Sequence, residues 1–225
     1  MKIIAHIHND FPTKFGLPRQ SGLADGLISR IVFTPEYRDP NALRGIDGYS
    51  HLWLIWCFSE TPDGAWQPTV RPPRLGGNTR VGVFASRSPF RPNPIGLSCV
   101  KLISVEKTAA EGTVLFVEGA DLMDGTPIYD IKPYLPFADA HPDAIGGFAD
   151  EKKEYSLALS FPDELAEIIG ESKLPPLKAA LKNDPRPSYQ NDPERIYGFL
   201  FGGFEIRFRV NDTTLTVCDV TEVKK

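Results

Sequence analysis

Leu52-Trp53-Leu54-Ile55-Trp56-Cys57-Phe58 is apolar at every position. A short continuous apolar run of this kind reads as a strand buried on both faces. Strand-like runs recur on either side of it, at Ile3–Ile7, Leu27–Phe33, Arg80–Ala85, Ser98–Val105, Thr113–Glu118 and Ile128–Ile131. Proline- and glycine-rich loops separate them. No long helix is legible before Phe148, and the best short candidate starts near Asn41. Many short strands at irregular spacing favour a closed or nearly closed barrel over a parallel α/β sheet, so the expected class is mainly β.

The texture changes after Phe148. Ser160-Phe161-Pro162-Asp163 marks a helix start, with Leu165, Ile168 and Ile169 at helical spacing. Pro175-Pro176 interrupts that helix, and Leu177–Leu181 forms a second short one. Phe204, Ile206, Phe208 and Val210 alternate as a half-buried strand; Asn211-Asp212 turns the chain, and Leu215–Val220 returns. The expected division is a β-barrel over residues 1–148 and a small α+β domain over 149–225.

The 225 residues carry a net charge of −4, so the whole surface is no generic binder of polyanions. The charge is unevenly placed. From Gly64 to Val105 there is no Asp or Glu, and Arg71, Arg74, Arg80, Arg87, Arg91 and Lys101 give that window +6. An acid-free basic window in an acidic protein suggests a focused anion-binding face. Cys57, Cys99 and Cys218 lie far apart with no C-x-x-C pair, and read as reduced core residues. No apolar run reaches about 18 residues and the N-terminus lacks a secretory pattern, so the expectation is a cytoplasmic protein without a membrane partner.

Ser86-Arg87-Ser88-Pro89-Phe90-Arg91-Pro92-Asn93-Pro94-Ile95-Gly96 packs two arginines and three prolines into eleven residues. Proline fixes φ and removes a donor, so the stretch is a rigid, pre-shaped loop whose arginines suit an oxygen-rich anion. Pro18-Arg19-Gln20, Pro68–Asn78 and Asp124–Tyr134 are loops of similar character. Loops gathered at one end of a barrel form a ligand mouth. Catalytic templates are missing: there is no P-loop, no G-x-G-x-x-G and no G-x-S-x-G elbow. His6-x-His8 has no evident third ligand, and no metal is expected.

Taken together, these segments resemble the TrmO (YaeB-like) tRNA methyltransferases. The resemblance rests on Ser88–Ser98, Asp124–Pro127 with Asp130–Tyr134, Pro18-Arg19-Gln20, Ser50-His51-Leu52-Trp53 and Arg71–Asn78. Asp184-Pro185-Arg186-Pro187-Ser188-Tyr189-Gln190 and Tyr197-Gly198 match the bacterial, two-domain branch. The resemblance implies a single-sheeted antiparallel β-barrel that binds S-adenosylmethionine, and a homodimer with the cofactor near the interface. It implies methylation of N6 of threonylcarbamoyladenosine at position 37, in the tRNA anticodon loop, which tunes decoding. The implied cofactor contacts are Pro18, Arg19, Gln20, Ser59, Glu60, Arg87, Leu97 and Tyr129, Asp130, Ile131 and Lys132. The implied place of the loop from Asp184 to Tyr189 is beside the modified base.

Physical chemistry bears on these implications. Methyl transfer from a sulfonium needs alignment rather than a covalent nucleophile, which fits a chain without one. Arg186 is a candidate for the threonyl carboxylate, as are Arg71 and Arg74; Asp184 or Tyr189 would orient the ureido group or assist proton loss. Arg71, Arg74, Arg80 and Arg91 are the expected contacts to tRNA phosphate. Two other readings stay open: a non-catalytic RNA-binding barrel, and a methyltransferase using the same cofactor on a small molecule.

Overall fold

The computed structural model describes residues 1–23, 26–62, 64–72, 75, 79–152, 155–186, 190 and 192–223, without the side chains of Glu151 and Lys152. Among these, the first part of the chain forms β1 (Ala5–His8), β2 (Ile28–Phe33), β3 (His51–Cys57), β4 (Thr69–Val70), β5 (Val81–Gly82), β6 (Ile95–Thr108), β7 (Gly112–Glu118) and β8 (Pro127–Pro133). Six of them follow one another in the order β1-β2-β7-β6-β3-β8, and β8 pairs back onto β1, so the sheet closes. Every pairing in the ring is antiparallel.

Closure corrects the expectation for Leu52–Phe58. Burial alternates along β3: Leu52, Leu54 and Trp56 are core, while Trp53 and Ile55 are half-buried on the outer face. A closed sheet has one dry face, and the other is covered only where something lies on it. Here the cover comes from just beyond β8. The Tyr134 ring sits 5.7 Å from that of Trp53, and Trp53 Nε1 donates to Asp139 Oδ2 at 3.1 Å, in the short helix α1 (Pro136–Asp139). Inside the barrel, Gly96 lies opposite Trp56, and a Cβ there would fall 2.2 Å from the indole.

The expected strand Arg80–Ala85 is also corrected. Only Val81–Gly82 pairs, with Thr69–Val70, and a 3-10 turn over Val83–Ala85 follows. Its partner is hemmed in by Pro68 and Pro72, which have no N–H to extend a ladder. The candidate near Asn41 is a 3-10 turn over Pro40–Leu43, with the Asp39 side chain accepting from the Asn41 amide.

The second part contains β9 (Ala158–Ser160), α2 (Asp163–Ile169), α3 (Leu174–Lys182), β10 (Tyr197–Phe201), β11 (Phe204–Asn211) and β12 (Thr214–Glu222). The sheet order is β10-β11-β12-β9, with β9 parallel to β12. Pro175 and Pro176 do not interrupt a helix; they lie in the first turn of α3, where a missing N–H costs no helical bond. The segment between β1 and β2 leaves the barrel to join this second core. Phe11 and Leu27 are buried there with Phe199, Phe201 and Phe208, and the Phe11 and Phe201 rings meet edge-on at 4.9 Å. That crossing carries Pro18-Arg19-Gln20 to the seam between the two cores.

Candidate active site

The Ser86–Gly96 loop is built around one of its own arginines. Arg91 Nη1 donates to the Ser86 carbonyl at 2.7 Å and the Val83 carbonyl at 3.2 Å. The Ser86 hydroxyl donates to the Val83 carbonyl at 2.8 Å and accepts from the Ser88 amide at 3.3 Å. A proline-rich loop has more carbonyls than N–H groups, and a half-buried guanidinium makes up the difference. Arg91 is therefore a strut of the loop through its Nη1. Beside it, Phe84, Arg91, Pro92, Asn93 and Ile95 line an open cleft of about 440 Å³.

Arg87 leaves the same loop in another direction. Its Nη1 donates to Gln20 Oε1, and Gln20 Nε2 donates to the Arg19 carbonyl at 2.6 Å. Arg19 Nη2 donates in turn to the carbonyls of Asp184 at 3.1 Å and Arg186 at 2.8 Å. Pro18 is buried behind them. Residues from three distant stretches are thus joined in one line of hydrogen bonds.

Asp184 has φ +52, a left-handed conformation uncommon for a residue with a side chain. The turn aims its carboxylate back at Arg186, whose Nε and Nη2 donate to Oδ1 and Oδ2 at 2.9 and 3.0 Å. Tyr155, half-exposed, adds its hydroxyl to Oδ2 at 2.8 Å. Burial alone would raise the Asp184 carboxyl, but the bonds from Arg186 and Tyr155 outweigh it and hold it below the ordinary range. Hydrogen bonding to Asp184 raises the Arg186 guanidinium in return, and burial with the Asp184 bond raises the Tyr155 phenol. Arg186 is only 7 % exposed, and its buried Nη1 has no acceptor among the described residues.

Leu97, Asp130 and Lys132 lie on the outer face of the barrel, on β6 and β8, while Ile131 packs against the barrel core. Leu97 and Asp130 flank Ile55 in register, and Leu97 is 53 % exposed. Ile55 pairs with Asp130 but Trp56 with Ile128, so Tyr129 is the extra residue of a β-bulge. Hydrogen bonding with the Cys57 side chain raises the Tyr129 phenol. Lys132 Nζ stands 3.3 Å from Asp130 Oδ2, while Ile131 lies opposite Leu54. Ser59 and Glu60 are exposed in the turn just past Cys57.

Arg71 and Arg80 are exposed, and Arg80 Nη1 donates to Thr69 Oγ1 at 2.8 Å across the β4–β5 pair. Arg74 and Tyr189 lie outside the described residues. One residue of the site goes unnoticed in the sequence. Asp121, past the end of β7, accepts the Ser98 hydroxyl, and Ser98 Oγ accepts from Trp56 Nε1 at 2.9 Å. Ser98, a polar residue buried between Gly96 and Val100 on the inner face of β6, is what signals it.

A family model described as the tRNA-methyltransferase O N-terminal domain matches residues 6–140, and one for the TrmO C-terminal domain matches residues 150–223. The chain belongs to the tRNA-methyltransferase O family. It is 41 % identical over 222 residues to the tRNA (adenine(37)-N6)-methyltransferase of Escherichia coli, covering 95 % of this chain and 94 % of that one. It is 48 % identical over 168 residues to the enzyme of the same name from Eikenella corrodens, covering 72 % and 91 %. The crystal structure of TrmO from Pseudomonas aeruginosa superposes with a TM-score of 0.76 at 31 % identity, over 97 % of each chain. The mainly β architecture is thus that of a TrmO protein. No helix among the described residues is long and apolar enough to cross a membrane.

Proposed function

We propose that this chain transfers a methyl group from S-adenosylmethionine to N6 of threonylcarbamoyladenosine at position 37 of tRNA, and so tunes decoding. The observation that carries the reading is the pair of bonds from Arg19 to the carbonyls of Asp184 and Arg186. They join a stretch assigned to the cofactor to one assigned to the modified base.

The residues present fit the cofactor. It carries a carboxylate, an ammonium, a sulfonium and an adenine. The Gln20–Arg87 pair supplies an amide and a cation, Asp130 a negative charge, and Leu97 with the cleft beside Ile95 an apolar wall. Bound there, the cofactor supplies an electrophilic methyl group. Arg87 holds its carboxylate, with Pro18, Arg19 and Gln20 on one side; Leu97, Tyr129, Asp130, Ile131 and Lys132 line the other, with Ser59 and Glu60 at the rim.

Arg186 binds the threonyl carboxylate of the substrate. Asp184, held in turn by Tyr155, occupies one edge of its guanidinium, and Nη1, without an acceptor among the described residues, has an N–H to give. Tyr189 stacks on the exposed base. Arg71, Arg74 and Arg80 meet tRNA phosphate. The barrel, residues 1–148, carries the cofactor; residues 149–225 recognise the substrate. A second copy of the chain covers the outer face around Leu97 and Ile55, giving a cytoplasmic homodimer with the cofactor near its interface.

The test is to incubate the protein with cofactor and tRNA bearing threonylcarbamoyladenosine, and to weigh the nucleosides. The expected result is a gain of one methyl on that nucleoside. A cofactor-bound protein that leaves it unchanged overturns the reading.

A further inference from the structure

Asp121 is a half-buried carboxylate that no step above uses as a reacting group. It lies in Gly119-Ala120-Asp121-Leu122, where Ala120 and Leu122 are fully buried. The Gly22 amide donates to the Gly119 carbonyl at 2.8 Å, which clamps this segment under the Arg19-Gln20-Ser21-Gly22 stretch. Four elements face the carboxylate. From β6 the Ser98 hydroxyl donates to Oδ1, and from β3 Trp56 fixes Ser98. From the N-terminal stretch the Ser21 amide favours the charged form, and from the Ser86–Gly96 loop Arg87 acts on it as a nearby positive charge. Arg87 is the charged group among them. Arg87, assigned to the cofactor above, and Ser21, next in sequence to Gln20, thus bring the cofactor candidates up to Asp121.

We propose that Asp121 is the catalytic base that takes the proton from the nitrogen being methylated. The inference rests on the methyl-transfer reading above. The nitrogen lone pair bonds the methyl carbon as the carbon–sulfur pair returns to sulfur, leaving a neutral thioether; the N–H bond breaks, an O–H bond forms on Asp121, and the N–H electron pair stays on nitrogen. The alkylated nitrogen therefore ends neutral, and Asp121 passes its proton to solvent. Its negative charge also opposes the positive charge that builds on nitrogen as the methyl arrives.

Two comparisons favour Asp121 over Asp184. Both oxygens of Asp184 are committed to Arg186, with Tyr155 sharing one, and its carboxyl is held low. Burial raises the Asp121 carboxyl in spite of Ser98, Ser21 and Arg87, which moves it toward the range a base needs at neutral pH. Ser98, fixed by Trp56, also sets the direction of the carboxylate, which Asp184 spends on its ion pair.

The test uses the full-length Asp121→Asn protein, with S-adenosylhomocysteine as the binding probe. Single-turnover methylation of tRNA should fall by roughly a hundredfold or more, and the loss of rate toward acid pH expected of the native protein should be absent from the variant. Affinity for S-adenosylhomocysteine by calorimetry should stay within about threefold, a change worth under 1 kcal/mol. Carbon-13 resonances of the aspartate carboxyls should include one, absent from the variant, that titrates with the acid limb. Where Asp121→Asn fails to fold, Ser98→Ala serves. It removes a bond that favours the carboxylate, so the limb and the resonance should both move to higher pH. A native single-turnover rate in Asp121→Asn overturns the proposal, as does a variant defect confined to cofactor affinity, or an unmoved limb in Ser98→Ala. A native protein that binds cofactor but methylates no tRNA overturns the underlying reading instead.

Discussion

The Arg19 guanidinium donates to the carbonyl of Arg186 at 2.8 Å, across 167 positions of sequence. The bond joins a segment that begins in the barrel to the loop after α3. Its consequence is that the residue proposed to read the substrate is aimed from the cofactor side of the seam.

Arg19→Ala should therefore injure substrate recognition. It removes two charge-assisted bonds, each worth roughly 1.5–3 kcal/mol, from the carbonyls of Asp184 and Arg186. The expected outcome is a KM for tRNA raised about tenfold or more, in steady-state methylation at saturating cofactor. An unchanged KM would show that the tie does not aim Arg186.

The Asp184–Arg186 pair makes a prediction about acid. Hydrogen bonds from Arg186 and Tyr155 place the folded Asp184 carboxyl below its unfolded value, despite the opposing effect of burial. A lowered carboxyl contributes stability that is fully present above the unfolded value and is lost as pH falls through the folded one. Asp184→Asn breaks a buried pair and leaves the guanidinium uncompensated, at a cost of about 3–5 kcal/mol. In urea unfolding, that difference from the native chain should be constant near neutrality and shrink only below about pH 4. A difference that persists undiminished in strong acid would mean the cost lies in packing rather than charge.

How far the sequence carried this picture depends on the reach of each interaction. Strands such as Ile28–Phe33 and Gly112–Glu118 are local patterns and were legible almost residue by residue. So was the rigidity of the Ser86–Gly96 loop, because proline stiffness is intrinsic. The outer face of β3 was not, because the cover over Trp53 comes from Tyr134 and Asp139, far along the chain. The role of Arg91 depended on where carbonyls point, and that of Asp121 on a serine in a neighbouring strand; neither is written in spacing. The short strand β9 pairs in parallel with β12 more than fifty residues away, and no local alternation announces it.

Gly96→Ala probes the barrel interior at the foot of the site. A Cβ would fall 2.2 Å from the Trp56 indole, and that indole holds Ser98. Overpacking of this kind typically costs 1–3 kcal/mol, so the melting temperature should drop by about 2–4 °C or more for a chain of this size. Because Trp56 must move, Asp121 should lose its fixed partner, and single-turnover methylation should fall as well. A variant that melts lower but turns over at the native rate would separate the packing of Trp56 from the site.

The basic window divides into struts and contacts, and salt separates them. Arg91 is spent on carbonyls within its own loop, while Arg71 and Arg80 are exposed. A side chain on phosphate releases counterions, so Arg71→Ala and Arg80→Ala should each lower the slope of log affinity for tRNA against log salt by about one. Arg91→Ala should leave that slope alone and instead weaken S-adenosylhomocysteine binding, since the loop it braces carries Arg87. Affinities measured across a salt series, with calorimetry on the same proteins, give both quantities. A slope that falls in Arg91→Ala, with cofactor binding intact, would return this arginine to the RNA.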